Sequence, residues 1–173
     1  DVISLGVGEP DFVTPWHIRE AAIYSLEKGQ TTYTSNLGLL SLRKSIARYV
    51  SDFFHVSYDP AREVLVTVGV SEAIDIALRA LLNPGDEVIY PNPGFPIYES
   101  MIRYIGGVPV PVRLLEEKGY ALDVDQLISR ITAKTKLIII NSPQNPTGGV
   151  LGLDQLGRIA EMATHYKIPV LTD

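Results

Sequence analysis

The sequence predicts an α/β fold: a three-layer αβα sandwich with a mostly parallel sheet between two layers of helices. Three observations carry that expectation. From Val64 onward, apolar runs of strand length alternate with segments of helical spacing. The run Leu137-Ile138-Ile139-Ile140 is continuously apolar, as in a parallel strand buried on both faces. Stretches rich in Gly, Pro and Asn then follow the ends of such runs, where open α/β sheets bind their ligands.

The elements follow in order. Thr14-Pro15 reads as an N-cap with proline at the first helical position. Ile18, Ala21, Ala22, Ser25 and Leu26 recur at helical spacing, and Gly29 is the expected stop. Leu39, Leu42, Ile46, Tyr49, Val50 and Phe53 make the apolar stripe of a second helix. Val64 to Val68 reads as a strand. Ser71 to Leu82 reads as a helix with Ala73, Ile74, Ala77, Leu78 and Leu81 facing inward. Asn83-Pro84-Gly85-Asp86 is a turn. A strand at Glu87–Tyr90, a helix at Pro96–Ile105 and a strand at Val108–Val112 come next. A short helix over Asp123–Ile131 precedes the strand Leu137–Ile140. Leu153–Tyr166 is a helix, and Val170–Thr172 the last strand. That order places helices on both faces of a parallel sheet. The opening residues are less regular. Residues 1–13 are assigned to a separate, smaller domain and 14–173 to part of a large domain.

Composition narrows the function. The 173 residues suffice for one domain with a sizeable core. The net charge of −5 is spread along the chain, and no basic run suggests nucleic acid. Without cysteine there is neither a disulfide framework nor a thiolate metal site, and no metal is expected. No stretch approaches the roughly 20 apolar residues of a membrane span, and no signal peptide pattern is present. Cytoplasm is the expected compartment. The chain starts without Met and stops at the end of an apparent buried strand, so it reads as a segment of a longer protein.

The chemistry concentrates at element ends. Asn141-Ser142-Pro143-Gln144-Asn145-Pro146-Thr147-Gly148-Gly149 is a rigid loop after a buried strand; by itself it is also a plain strand-to-helix turn. Gly69-Val70-Ser71 opens a helix, whose free N–H groups and partial positive charge attract phosphate. Its plainer reading is an N-cap serine after a glycine turn. It is neither a Walker loop nor G-x-G-x-x-G, which disfavours a doubly wound nucleotide-binding module. Phe95, held between prolines in Asn92-Pro93-Gly94-Phe95-Pro96, can stack on a flat heteroaromatic ligand or serve as a core residue at a helix start. Asp173 ends a buried strand, where a carboxylate is costly without a cation, or where it caps the next loop.

Together these stretches resemble the class I/II, fold type I aminotransferases, which use pyridoxal 5'-phosphate (PLP). Ser4-Leu5-Gly6-Val7-Gly8-Glu9-Pro10-Asp11-Phe12 is similar to their L-G-x-G-E-P-D-F signature, and Tyr33 to Gly38 to their Y-x-x-x-x-G stretch. The likeness runs along essentially the whole chain and implies the fold type I large domain, truncated. It implies that Asp173 pairs with the pyridinium nitrogen of PLP, that Asn145 bonds its phenolic oxygen, and that Phe95 stacks on its ring. Gly69, Val70 and Ser71 would hold the phosphate, and Gly8 would lie against the substrate carboxylate. Tyr33 would reach the phosphate in the partner of a homodimer. Tyr98 would stand behind these contacts. The Schiff-base lysine, in an S-x-x-K stretch, and the carboxylate-binding arginine have no match here. Many aspartate-specific members carry Trp where Phe95 stands, which weakens a substrate assignment. The implied activity moves an amino group from an L-amino acid of aspartate or aromatic type to a 2-oxo acid such as 2-oxoglutarate. Rival readings are a PLP-dependent lyase or synthase of the same fold, or a non-catalytic PLP-fold regulatory domain.

Overall fold

The computed structural model describes Val2, Ile3, Gly6 and residues 8–173. Ser4, Leu5 and Val7 of the glycine-rich signature lie outside the described residues, as does Asp1. The chain forms two compact units, Asp1–Val66 and Thr67–Asp173.

The first unit carries two helices, α1 (Trp16–Glu27) and α2 (Leu40–Phe54). Helix α1 starts one residue later than the Thr14 cap implies. Pro15 has an extended ψ of 142° and is itself the cap, with its carbonyl accepting from Ile18 and Arg19. Gly29 closes the helix at φ +70°, a conformation glycine adopts without steric cost. No residue of α1 is buried.

In α2 the expected apolar stripe is only partly the inner face. Arg43 and Ala47 are buried, while Leu39, Leu42, Tyr49 and Phe53 are exposed. The Arg43 guanidinium is buried because its donors are met. Nε donates to Gly38 O at 3.2 Å, and Nη1 donates to Pro60 O at 2.8 Å and Ala61 O at 3.1 Å. A buried cation is tolerated when its donors are satisfied, and here it joins the start of α2 to the chain near residue 60.

The predicted strand Val64–Val68 does not form. Val66 N–H donates to Leu37 O at 3.1 Å, but no strand of the sheet pairs with this segment. A β-rich composition gives an extended chain; a strand also needs a neighbour to complete its ladder.

The second unit is the predicted layered α/β structure. Helix α3 (Gly69–Leu81), β1 (Glu87–Asn92), α4 (Ile97–Tyr104), β2 (Val108–Arg113), α5 (Val124–Ser129), β3 (Thr135–Ile140), α6 (Leu153–Tyr166) and β4 (Val170–Thr172) follow one another, with one 3-10 turn at Glu116–Lys118. The sheet is parallel, in the order β2-β1-β3-β4. Glu87 to Asn92 lie opposite Val108 to Arg113, and Ile138 to Ile140 opposite Val170 to Thr172.

Successive strand residues point to opposite faces. Val88, Tyr90, Leu137 and Ile139 pack with Ile74 and Leu78 of α3 and with Tyr98 and Ile102 of α4. Ile89, Val112, Ile138 and Ile140 pack on the other face with Val124 and Leu127 of α5 and Ile159 and Met162 of α6. This double burial is why β3 reads as an unbroken apolar run. Helix α3 departs from expectation at its end: Leu81 is 37% exposed, and Leu82, just past the helix, is buried instead at 7%. The turn that follows is as predicted, with Asn83 N–H donating to Asp86 Oδ2 at 2.8 Å and Gly85 at φ +89°.

Candidate functional site

Strand order creates the crevice. The chain leaves β1 for β2 on one side and later returns to place β3 on the other. The connections diverge at the C-terminal ends of β1 and β3, the switch point at which open α/β sheets bind ligands. Two loops flank it: Pro93 to Pro96 after β1, and Asn141 to Gly152 after β3.

Gln144 ties these loops together. It is only 6% exposed, and its Nε2 donates to Pro93 O at 3.2 Å and to Asn145 O at 3.0 Å. Its backbone closes the turn: Gln144 N–H donates to Gly149 O and Gly148 N–H to Gln144 O, both at 2.7 Å. The Pro- and Gly-rich sequence is thus a closed loop held by one buried amide. Gly94 permits the opposite loop to approach, because a Cβ there would collide with the Pro91 carbonyl oxygen.

The predicted residues occupy these places. Phe95 is half-buried against the α3–α4 core, and its ring meets that of Tyr98 edge-on with centroids 5.9 Å apart. It is anchored as a core residue while part of the ring stays open. Asn145 is exposed, and its side chain makes no hydrogen bond among the described residues. Asp173 follows β4, where its N–H donates to Ile140 O at 3.0 Å and extends the register of β3 with β4.

The Asp173 carboxylate has specific partners. Tyr98 Oη donates a short hydrogen bond to Oδ2. Asn141 Nδ2 donates to Tyr98 Oη at 3.2 Å and lies 3.5 Å from the same Oδ2. Oδ1 has no hydrogen-bond partner among the described residues. Tyr98 is completely buried, and burial followed by the bond to Asp173 pushes its phenol well above the ordinary tyrosine range. It therefore remains a donor. Nearby, Tyr90 donates to Glu99 Oε2 at 2.8 Å, and burial first, then that bond, raises its phenol likewise.

Helix α3 runs back from the strand ends. It packs on the sheet and enters β1 through a tight turn, so its N-terminus lies toward the C-terminal end of β1. The helix begins at Gly69, which sits at φ +75°, and its cap is Val68; Ser71 is the third helical residue rather than the N-cap. Val68 N–H is taken by the Glu72 carboxylate and Gly69 N–H by Thr67 O at 2.9 Å. Val70 and Ser71 are exposed, and their N–H groups precede the first full turn of intrahelical bonds.

Gly8 and Tyr33 belong to the first unit. Gly8 is exposed with no atom within 4 Å of an added Cβ, and Tyr33 is fully exposed. Among the described residues, no group of three or more His, Asp or Glu could hold a metal ion. No helix among them is long and apolar enough to cross a membrane.

The second unit fits the groups of PLP. An unpaired carboxylate oxygen at Asp173 suits a protonated ring nitrogen, and free helix amides at Val70 and Ser71 suit a phosphate. The Asn145 amide and the open part of Phe95 suit a phenolic oxygen and a ring face. The structure adds Asn141 and Gln144, and gives Tyr98 a definite bond. Asn141 and Gln144 carried a sequence signal only as members of the polar loop after β3.

The family model for aminotransferase class I and II matches residues 1–173. YugH of Bacillus subtilis (strain 168), which carries a provisional aminotransferase name, is 52% identical over 99% of the chain. An aspartate aminotransferase of Pyrococcus abyssi is 44% identical over the whole chain, which spans 44% of that relative. The crystal structure of an aromatic aminotransferase from Pyrococcus horikoshii superposes with a TM-score of 0.96 at 44% identity, covering 99% of this chain and 46% of that one. The chain thus spans less than half the length of these relatives, YugH included at 45%.

Proposed function

Since the chain belongs to the aminotransferase class I and II family, we propose that the protein it represents is a PLP-dependent aminotransferase. It moves an amino group from an L-amino acid of aspartate or aromatic type to a 2-oxo acid such as 2-oxoglutarate. The observation that carries this reading is the Asp173 carboxylate at the end of β4, with Oδ2 held by Tyr98 and Oδ1 unpaired. Such a group suits a cationic ring nitrogen better than it suits a loop cap.

When bound, PLP supplies a ring that accepts the electrons left behind when the substrate loses its α-proton. The chain's own residues prepare that chemistry. Asp173 holds a proton on the ring nitrogen through charge and a hydrogen bond. Asn145 donates to the phenolic oxygen. Phe95 covers one ring face and keeps water from it, while the Val70 and Ser71 amides and the Ser71 hydroxyl hold the phosphate beyond Gly69. The family resemblance assigns the substrate carboxylate to the backbone at Gly8. The lysine that bonds the cofactor and the arginine that binds the substrate carboxylate belong to other parts of the protein. Residues 1–13 belong to its small domain and 14–173 to its large one.

The test is product analysis with the full-length protein, aspartate or an aromatic amino acid, and 2-oxoglutarate. The expected products are glutamate and the donor's 2-oxo acid. Elimination products would favour a lyase, and PLP binding without turnover a regulatory domain. The named relatives above are aminotransferases, which supports the transferase reading.

The same proposal includes a cytoplasmic homodimer. Its support is Tyr33, a fully exposed aromatic residue with no hydrogen-bond partner among the described residues. Its hydroxyl reaches the phosphate bound by the partner subunit, and a twofold contact makes the arrangement reciprocal. Light scattering on the full-length protein is expected to give twice the chain mass. Mixed dimers that place Tyr33→Phe and a lysine-inactivated site on the same or on opposite subunits are expected to differ in PLP affinity. Equal affinity, or a fully active monomer, contradicts the shared site.

A further inference from the structure

Asp173 is not simply a carboxylate at a strand end; it is the last member of a directed chain of hydrogen bonds. Asn141 Nδ2 donates to Tyr98 Oη, and Tyr98 Oη donates to Asp173 Oδ2. Each link polarises the next, so the phenol is a stronger donor than it would be alone. The three residues come from different elements: the loop after β3, helix α4 and the end of β4. Tyr98 is completely buried among Ile74, Leu78, Leu137 and Ile139, so its hydroxyl has one fixed position. Among the described residues no cation is paired with Asp173. The neutral donors on Oδ2 are therefore what orient the carboxylate.

We infer that Tyr98 and Asn141 are positioning residues: they hold Oδ2 of Asp173 so that Oδ1 remains the acceptor for the protonated ring nitrogen of bound PLP. This rests on the cofactor reading above. Without the Tyr98 hydroxyl the carboxylate can rotate, and the bond to the ring nitrogen is made only part of the time. The ring then holds its proton less firmly. Tyr98→Phe isolates the hydroxyl, because it keeps the aromatic ring and its edge contact with Phe95.

The test uses the full-length holoenzyme loaded with PLP that is isotope-labelled at the ring nitrogen. In the wild type, the nitrogen resonance is expected at the protonated position. In Tyr98→Phe it is expected to move toward the neutral position while PLP stays bound. Turnover should fall about ten- to a hundredfold, the scale of one hydrogen bond to a charged group, with KM changing by less than about threefold. Asn141→Ala should move the resonance in the same direction by less, and it carries the test if Tyr98→Phe does not fold. A resonance that stays at the wild-type position in the folded, PLP-loaded variants overturns the inference and leaves the cofactor reading intact. A wild-type protein that does not bind PLP overturns both.

Discussion

Asp173→Ala in the full-length protein is expected to lower turnover far more than it lowers stability. The carboxylate is the charge assigned to the ring nitrogen; without it the nitrogen loses its proton, and the ring accepts the substrate's electrons less well. Breaking a buried charge pair costs about 3–5 kcal/mol. If that loss falls on the transition state, the rate drops by roughly 10²- to 10⁴-fold. The folded state loses less. Tyr98 Oη and Asn141 Nδ2 are left short of one acceptor, and an unsatisfied buried donor costs about 1–3 kcal/mol. Asn145→Ala should be milder, since it removes one hydrogen bond and no charge, and the exposed side chain has no other partner among the described residues. Steady-state kinetics beside thermal unfolding separates the two effects. An Asp173→Ala enzyme with near wild-type turnover would show that the carboxylate has a different role.

The largest expected stability effect lies in the first unit, at Gly38. Its φ is +90°, and a Cβ there would stand 2.6 Å from both Cβ and Cγ2 of Val66. Val66 cannot swing away, because its Cβ is fixed to the backbone and its N–H is bonded to Leu37 O. The left-handed conformation costs a residue with Cβ about 1–2 kcal/mol, and overpacking adds about 1–3 kcal/mol. Gly38→Ala is therefore expected to destabilise the protein by about 2–5 kcal/mol in denaturant titration. It should also loosen Arg43, whose Nε is bonded to the Gly38 carbonyl. A midpoint equal to wild type would mean that Leu37–Gly38 and Val66 do not pack in this way.

The second unit is largely legible in the sequence because its determinants are local. Leu153–Tyr166 and Val170–Thr172 form over the predicted residues, and β3 extends the predicted Leu137–Ile140 run by only two residues. Failures come where a distant partner decides. Val64 to Val68 has strand composition but no paired neighbour. Arg43 has surface chemistry but is buried, because it finds backbone carbonyls at Pro60 and Ala61, contributed by chain that folds back toward it.

The same division runs through the candidate site. Asp173, Asn145, Phe95 and Gly69 to Ser71 stand out because each lies where a strand ends or a helix begins. Tyr98 and Gln144 do their bonding across long separations: Tyr98 to Asp173 spans 75 residues, and Gln144 to Pro93 spans 51. Tyr98 is singled out in the sequence only by the family resemblance, which places it behind the cofactor contacts without a partner, and Gln144 reads as loop filling. Only the parallel register that sets β4 beside β3, and β3 beside β1, brings their partners within reach.

The central claim is that this chain forms the PLP-holding half of an active site, and it is tested most directly by adding PLP to the purified full-length protein and then trapping with a hydride reductant. The expected result is an absorbance band in the visible or near-ultraviolet and, after reduction, one lysine carrying the cofactor outside residues 1–173. A protein that stays colourless and yields no trapped lysine would contradict it.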